Sequence, residues 1–223
     1  DKAIMYGSYF ARDNVSLKLN TKPSKKTTLD FQVRYARTKV LGAGANESAG
    51  VYDSDRRLKY AMIYTPIPLS NLDPTAGGDD DLGNLYNPIT STNDNDQKKV
   101  RKNLNLSGSF GWEIFKNFKV KTEIGYDYYN NYQQRFWGLT TYYVKNVPAK
   151  DYQNQPPIRL VDTNRERLRN TNTISYDFKG IIKNKDHSLN VLAGHEYVIT
   201  KERTNTNEVH GFPEAYKSDT AWR

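Results

Sequence analysis

The pattern that organises this chain is strict alternation of apolar and polar residues over unusually long stretches. From Phe118 to Tyr128, the residues Phe118, Val120, Thr122, Ile124, Tyr126 and Tyr128 fall on one side of an extended strand. Lys119, Lys121, Glu123, Gly125 and Asp127 fall on the other, because successive strand side chains point to opposite faces. Ordinary strands run for about five or six residues. This alternation holds for about eleven, the length that a tilted strand needs to cross a hydrocarbon layer. The preceding segment mirrors it: Leu104, Leu106, Gly108, Phe110, Trp112 and Ile114 alternate with Asn103, Asn105, Ser107, Ser109, Gly111 and Glu113. Only Phe115-Lys116-Asn117 separates the two, so they form a hairpin.

The same unit recurs on either side. Val15, Leu17 and Leu19 lead to a Pro23-Ser24-Lys25-Lys26 turn, followed by Leu29, Phe31, Val33 and Tyr35. Later, Ile174, Tyr176 and Phe178 lead to a Lys183-Asn184-Lys185-Asp186 turn, followed by Leu189, Val191, Ala193, Tyr197 and Ile199, with Leu192 on the polar side. The hairpins are placed at 13–38, 101–130 and 165–202, and long connections rich in Gly, Asp, Asn and Pro at 41–97 and 138–164. Loops of that size are foreign to compact soluble domains. Short turns on one side and long loops on the other are the habit of outer-membrane barrels. The predicted fold is therefore all-β: one antiparallel up-and-down transmembrane β-barrel segment over 1–223, with short periplasmic turns and long extracellular loops. Within the first long loop, 57–64 is compatible with two turns of helix, stopped by Pro66 and Pro68.

Composition sharpens this picture. Mean hydropathy is −0.85, and no run of about eighteen apolar residues exists to make a membrane-spanning helix. A barrel needs only every second residue apolar, so low hydropathy is no objection. The 17 tyrosines suit membrane–water interfaces, where an amphipathic ring sits between the two media. Phe115 and Phe118 flank the central turn, and Tyr126, Tyr128 and Tyr129 lie about ten residues away, near 25 Å for a strand tilted about 45°. There are no cysteines, hence no disulfides or thiolate sites. Asp1-Lys2-Ala3-Ile4-Met5 lacks the build of a signal peptide, so the chain reads as a mature cytosolic protein or as a piece of a longer one. The net charge of +8 raises nucleic-acid binding, but the cations are scattered rather than gathered on one face, and no nucleic-acid partner is expected.

The residues also resemble a known family. Tyr86-Asn87-Pro88, the strand Leu104-Asn105-Leu106-Ser107-Gly108-Ser109 and the turn-and-strand Phe115-Lys116-Asn117-Phe118-Lys119-Val120-Lys121-Thr122 resemble a segment of the SusC/RagA-type TonB-dependent transporters of the Bacteroidota. Ala61-Met62 leading to Thr65-Pro66-Ile67-Pro68 is similar to that family's loop helix and proline-rich exit. Leu192-Ala193-Gly194-His195-Glu196-Tyr197 is similar to its leucine-x-Gly-x-Glu strand. The resemblance implies uptake of large nutrients, glycan fragments or oligopeptides, across the outer membrane. It also implies a SusD-like surface lipoprotein over the loops, a TonB complex reached through parts not in this chain, and outer-membrane lipid around the wall. Such transporters carry a plug and about twenty-two strands. Here about six strands and no plug domain are recognised, so the chain is expected to be a middle portion of the barrel.

Candidate chemistry is sparse. His187, His195 and His210 share no ligand spacing, and Asp79-Asp80-Asp81 lacks the spacing of a calcium loop. Neither a phosphate loop nor a nucleophile elbow is present. The chain is read as a non-enzyme without metal or other cofactor. The binding candidates are Trp137, Tyr142 and Tyr143, whose flat rings suit stacking on sugars or peptide groups, although the same residues suit an upper aromatic girdle or loop packing. Lys119, Lys121, Glu123 and Asp127 are expected to line the lumen. The competing architecture is a soluble β-sandwich that binds carbohydrate or mediates adhesion. It requires a second sheet packed on the apolar sides.

Overall fold

Alternation turns into structure through the ladder that pairs the strands. The computed structural model describes residues 7–42, 62, 88–141, 143–144, 150–178 and 189–213. They form one six-stranded antiparallel sheet in the order of the sequence. The strands are β1 (Tyr9–Ser24), β2 (Thr27–Leu41), β3 (Asn95–Phe115), β4 (Phe118–Trp137), β5 (Ile158–Asp177) and β6 (Asn190–Val209). A six-residue helix, α1 (Pro88–Asn93), precedes β3, and a 3-10 turn, Lys150–Tyr152, precedes β5. No helix among the described residues is long and apolar enough to cross a membrane. The predicted Lys183–Asp186 turn and Asp79–Asp81 lie outside the described residues, as does the 57–64 helix apart from Met62.

The register keeps all six strands in phase. Leu17, Val33, Leu106, Tyr126, Leu168 and Ile199 make one continuous row across the sheet. The adjacent row is Ser16, Arg34, Asn105, Asp127, Arg167 and Thr200. A slip of one residue at any ladder would throw that strand's apolar set onto the polar face. The result is a sheet with one apolar face and nothing packed on it among the described residues. Leu17 is 59% exposed, Ile124 55% and Trp112 47%. The sandwich alternative needs a facing sheet, and the described residues form only this one. The fold is all-β and up-and-down, as the alternation predicts.

The apolar face is interrupted where Glu166 and Lys201 continue the row of Tyr35, Leu104 and Tyr128, and again further along β5. Asn170 and Asn172 lie in the rows of Ile124 and Thr122, with His195 opposite Asn172. Asn172 Nδ2 donates to Asn170 Oδ1 at 2.6 Å, and Asn170 Nδ2 to the Glu123 carbonyl at 3.3 Å, so the two amides partly satisfy each other.

Both described turns are tight. Lys25 and Lys26 close β1–β2, where Ser24 Oγ accepts from the Lys26 amide at 3.1 Å and Thr27 Oγ1 from the Ser24 amide at 3.1 Å. The turn is thus shorter than the four residues expected, because β1 runs through Pro23 to Ser24. Lys116 and Asn117 close β3–β4 with a register shift between Glu113 and Phe115. Asn117 takes φ 70°, the left-handed region that Asn tolerates best after Gly. Aromatic rings gather at this end: Phe115 stacks on Phe118 at 4.6 Å and 6°, and Phe178 meets Tyr176 edge-on at 4.7 Å.

The other end corrects the expected boundaries. The strands continue well past the alternating segments, with hairpins spanning 9–41, 95–137 and 158–209 rather than 13–38, 101–130 and 165–202. The second long connection ends at Pro157 rather than 164, since 158–164 belongs to β5. On β4 the apolar face ends at Tyr128, yet the strand carries nine further residues, 129–137, about 30 Å at 3.3 Å per residue.

Asn117→Ala is expected to lower the urea midpoint by the equivalent of about 1 kcal/mol, because Ala gains nothing in the left-handed region. Asn117→Gly should keep or raise that midpoint, and a parental midpoint for the Ala variant would show that the turn does not depend on this conformation.

Candidate functional site

Two groups of polar residues stand out, a floor on the polar face and a cluster where the strands meet the loops. Lys119, Lys121, Glu123 and Asp127 all lie on the polar face of β4, as the register requires. They sit in a network that crosses strands. Asn105 Nδ2 donates to Asp127 Oδ1 at 2.6 Å, and Lys121 Nζ pairs with Glu123 Oε1. One strand further, Asp30 accepts from Asn20 Nδ2 and from Ser109 Oγ. Small residues on β3 and β4 leave room above the backbone, and Lys18, Asp30, Lys121, Glu123 and Arg169 border an open depression of about 290 Å³. Gly125 is buried under Arg169, whose Nε would lie 3.6 Å from a Cβ there.

At the loop end, Trp137 and Tyr143 come together, with ring centroids 4.7 Å apart. They are 1% and 4% exposed, so they wall the cluster and present little ring face to solvent. Tyr142 lies outside the described residues. The sequence did not single out the charged groups around them. Arg135 stacks over Trp137, 4.4 Å from its centroid, and opposes Arg159 across the β4–β5 ladder. Desolvation, with the Arg159 charge beside it, pulls the Arg135 guanidinium down to about 9, and Tyr143 offsets part of that; at neutral pH it remains a cation. Glu208 on β6 answers both sides of the cluster. Its Oε1 accepts from the Tyr143 hydroxyl at 3.3 Å and lies 3.0 Å from His210 Nε2, while Oε2 is 3.7 Å from Arg159 Nε. His210 stacks on Tyr152 at 4.2 Å. His195 is remote, on the apolar face of β6, and His187 lies outside the described residues.

Asp94, just before β3, locks the loop after β4 onto this end. Its Oδ2 accepts from the Thr140 amide and hydroxyl, both at 2.7 Å, and its carbonyl from the Gly138 amide at 2.7 Å. A Cβ at position 138 would sit inside the Asp94 carboxylate, so only Gly fits there. The 150–157 segment is held in turn by Trp137 N to Pro157 O at 3.2 Å and by Phe212 N to Pro156 O at 2.9 Å.

No family model matches the sequence, and no curated protein matches it. Solved structures match the fold. The chain superposes on the RagAB peptide transporter with a TM-score of 0.65 at 16% identity, over 96% of this chain and 22% of that one. The RagAB peptide importer in its closed-closed state gives 0.66 at 16% identity, again over 96% and 22%. In its open-open state it gives 0.65 at 15%, over 92% and 22%. At such identity the likeness is one of fold, and this chain spans 22% of the length of those chains.

Gly138→Ala is expected to break the Asp94–Thr140 lock, two hydrogen bonds to a buried carboxylate worth about 1.5–3 kcal/mol each at most. Limited proteolysis checks this: cleavage within 138–157 should accelerate at least several-fold while the strands stay protected. Unchanged cleavage would mean that the loop is held elsewhere.

Proposed function

We propose that this chain forms part of the wall of a SusC/RagA-type outer-membrane transporter, which takes up oligopeptides or glycan fragments with energy delivered through TonB. The observation that carries the reading is the one-sided apolar face. It is in register across six strands, bounded by aromatics at the turn end and by Tyr35 and Tyr128 at the other. Side chains of that kind, left uncovered, belong against hydrocarbon, where every backbone group must also be bonded within the sheet. From Phe118 to Tyr128 the span is about 25 Å once tilted. The likeness to the peptide transporter over 96% of the chain supports the same wall architecture, and of the two substrate classes it favours oligopeptides.

In this reading the polar face looks into the lumen, with Lys119, Lys121, Glu123 and Asp127 lining it. The cluster of Trp137, Tyr143, Arg135 and Glu208 would meet substrate at the outer mouth, and Tyr142, outside the described residues, remains a binding candidate of the sequence. A SusD-like lipoprotein would cover the loops, and the unpaired edges of β1 and β6 would find neighbouring strands of the same barrel.

This stretch contributes no native cysteine, and any elsewhere in the intact polypeptide is replaced by serine. Single cysteines placed from 118 to 128 in the intact polypeptide, reconstituted in bilayers, should alternate. Even positions should be quenched by a bilayer-restricted quencher, and odd positions should react with a water-soluble maleimide. Labelling without a two-residue period would end the proposal.

A further inference from the structure

Above the apolar face, β2 and β3 carry a set of cations that the transport reading leaves unused. Arg37 and Lys102 are direct ladder partners, one row of that face above Tyr35 and Leu104. Lys39 follows two residues on, opposite Val100, and Lys98 lies opposite Leu41. All four project from the same face as the apolar residues and lie beyond its edge. Like charges directly opposed across a ladder destabilise it, so their placement calls for an opposing charge. Neither Lys39 nor Lys102 has an acidic ladder partner: they face Ala11 and Val100, and Arg37 and Asn130. Asp13 opposes Arg37 from β1, yet the two form no ion pair. Asp162, on β5, is occupied by the Asn130 amide at 2.9 Å and the Asn164 amide at 3.3 Å.

We infer that this patch seats the phosphate of an acylated, phosphorylated glycolipid of the lipid A type in the outer leaflet. The inference rests on the reading that the apolar face meets hydrocarbon. The patch and the face are continuous. Acyl chains would lie along Val33, Tyr35, Leu104 and Leu106, and a phosphate at their head would arrive at Arg37 and Lys102, about 7 Å further along the strands. A guanidinium grips phosphate through two parallel hydrogen bonds, and the lysines add point charges around it. Basic residues just outside a hydrophobic span draw anionic lipid in this way. A free anion would gain only the charge, whereas this lipid gains charge and apolar contact together.

The test is native mass spectrometry of the intact protein in detergent, titrated with lipid A and with the same lipid dephosphorylated. The phosphorylated form should bind at least about fivefold more tightly, and Arg37→Gln or Lys102→Gln should each remove about fivefold. Arg37→Lys should retain most of the binding. Arg101→Gln, next to Lys102 but on the opposite face, should change nothing, with circular dichroism showing that each variant keeps its β structure. Equal retention of both lipids, or an equal loss in the Arg101 variant, overturns the seat. Displacement of the lipid by submillimolar inorganic phosphate overturns the lipid in favour of a free-anion site. A lipid-restricted quencher read at Leu106→Cys separates the two claims. Quenching without phosphate preference sinks the seat alone, and no quenching sinks the hydrocarbon reading and the seat with it.

Discussion

Everything in this molecule depends on the phase of its ladders. A strand with period-two chemistry is indifferent to which neighbour it has, but not to its register. The backbone hydrogen bonds of an antiparallel pair are equally good one residue along, while the side chains then face the wrong way. What selects the observed pairing is that Leu17, Val33, Leu106, Tyr126, Leu168 and Ile199 share a row and a face. The two-residue turns assist by leaving little slack: Asn117 in its left-handed conformation and the Ser24–Thr27 hydroxyl pair fix where each hairpin starts.

That dependence explains what was legible in the sequence. Where one side of the sheet is apolar and the other polar, alternation is enforced, and β1 to β4 show it plainly. Beyond Tyr128 the apolar side gives way to Asn130, Tyr132 and Gln134. The ladder continues there, because backbone bonding needs no alternation, but the sequence signal stops. The strand ends around 95–100 and 158–164 therefore carried no alternating signal, and the long loops looked longer than they are. On β5, Arg165 to Asn172 reads as almost wholly polar, and only its pairing with β4 reveals which of those residues share the apolar face.

The loop-end cluster was hidden for a different reason. Arg135, Tyr143, Arg159, Glu208 and His210 come from separate strands and connections, and each looks ordinary in its own surroundings. Only the register sets Arg135 beside Arg159, and only the return of β6 brings Glu208 to them. Trp137 and Tyr143 drew notice in the sequence because aromatic pairs near a strand end carry their own signal, and the structure brings their rings together. Their burial gives them a share in the scaffold of the cluster. The Asp94–Gly138 contact joins residues more than forty positions apart and had no local signature beyond a glycine following a strand.

On the proposed reading of this sheet as a barrel wall, the overlong strands would set the loop-end cluster apart from the bilayer. Membranes vary in thickness, and a span adjusts by tilting or by stretching the lipid around it. On β4, nine residues of hydrogen-bonded sheet, 129–137, separate Tyr128 from the loop anchors. Shifts in how such a wall sat in lipid would be taken up below, and the spacing among Arg135, Glu208 and Asp94 would stay that of the sheet itself. Under that reading the stiff rim would act as a standoff, insulating the cluster's geometry from the elasticity of the lipid.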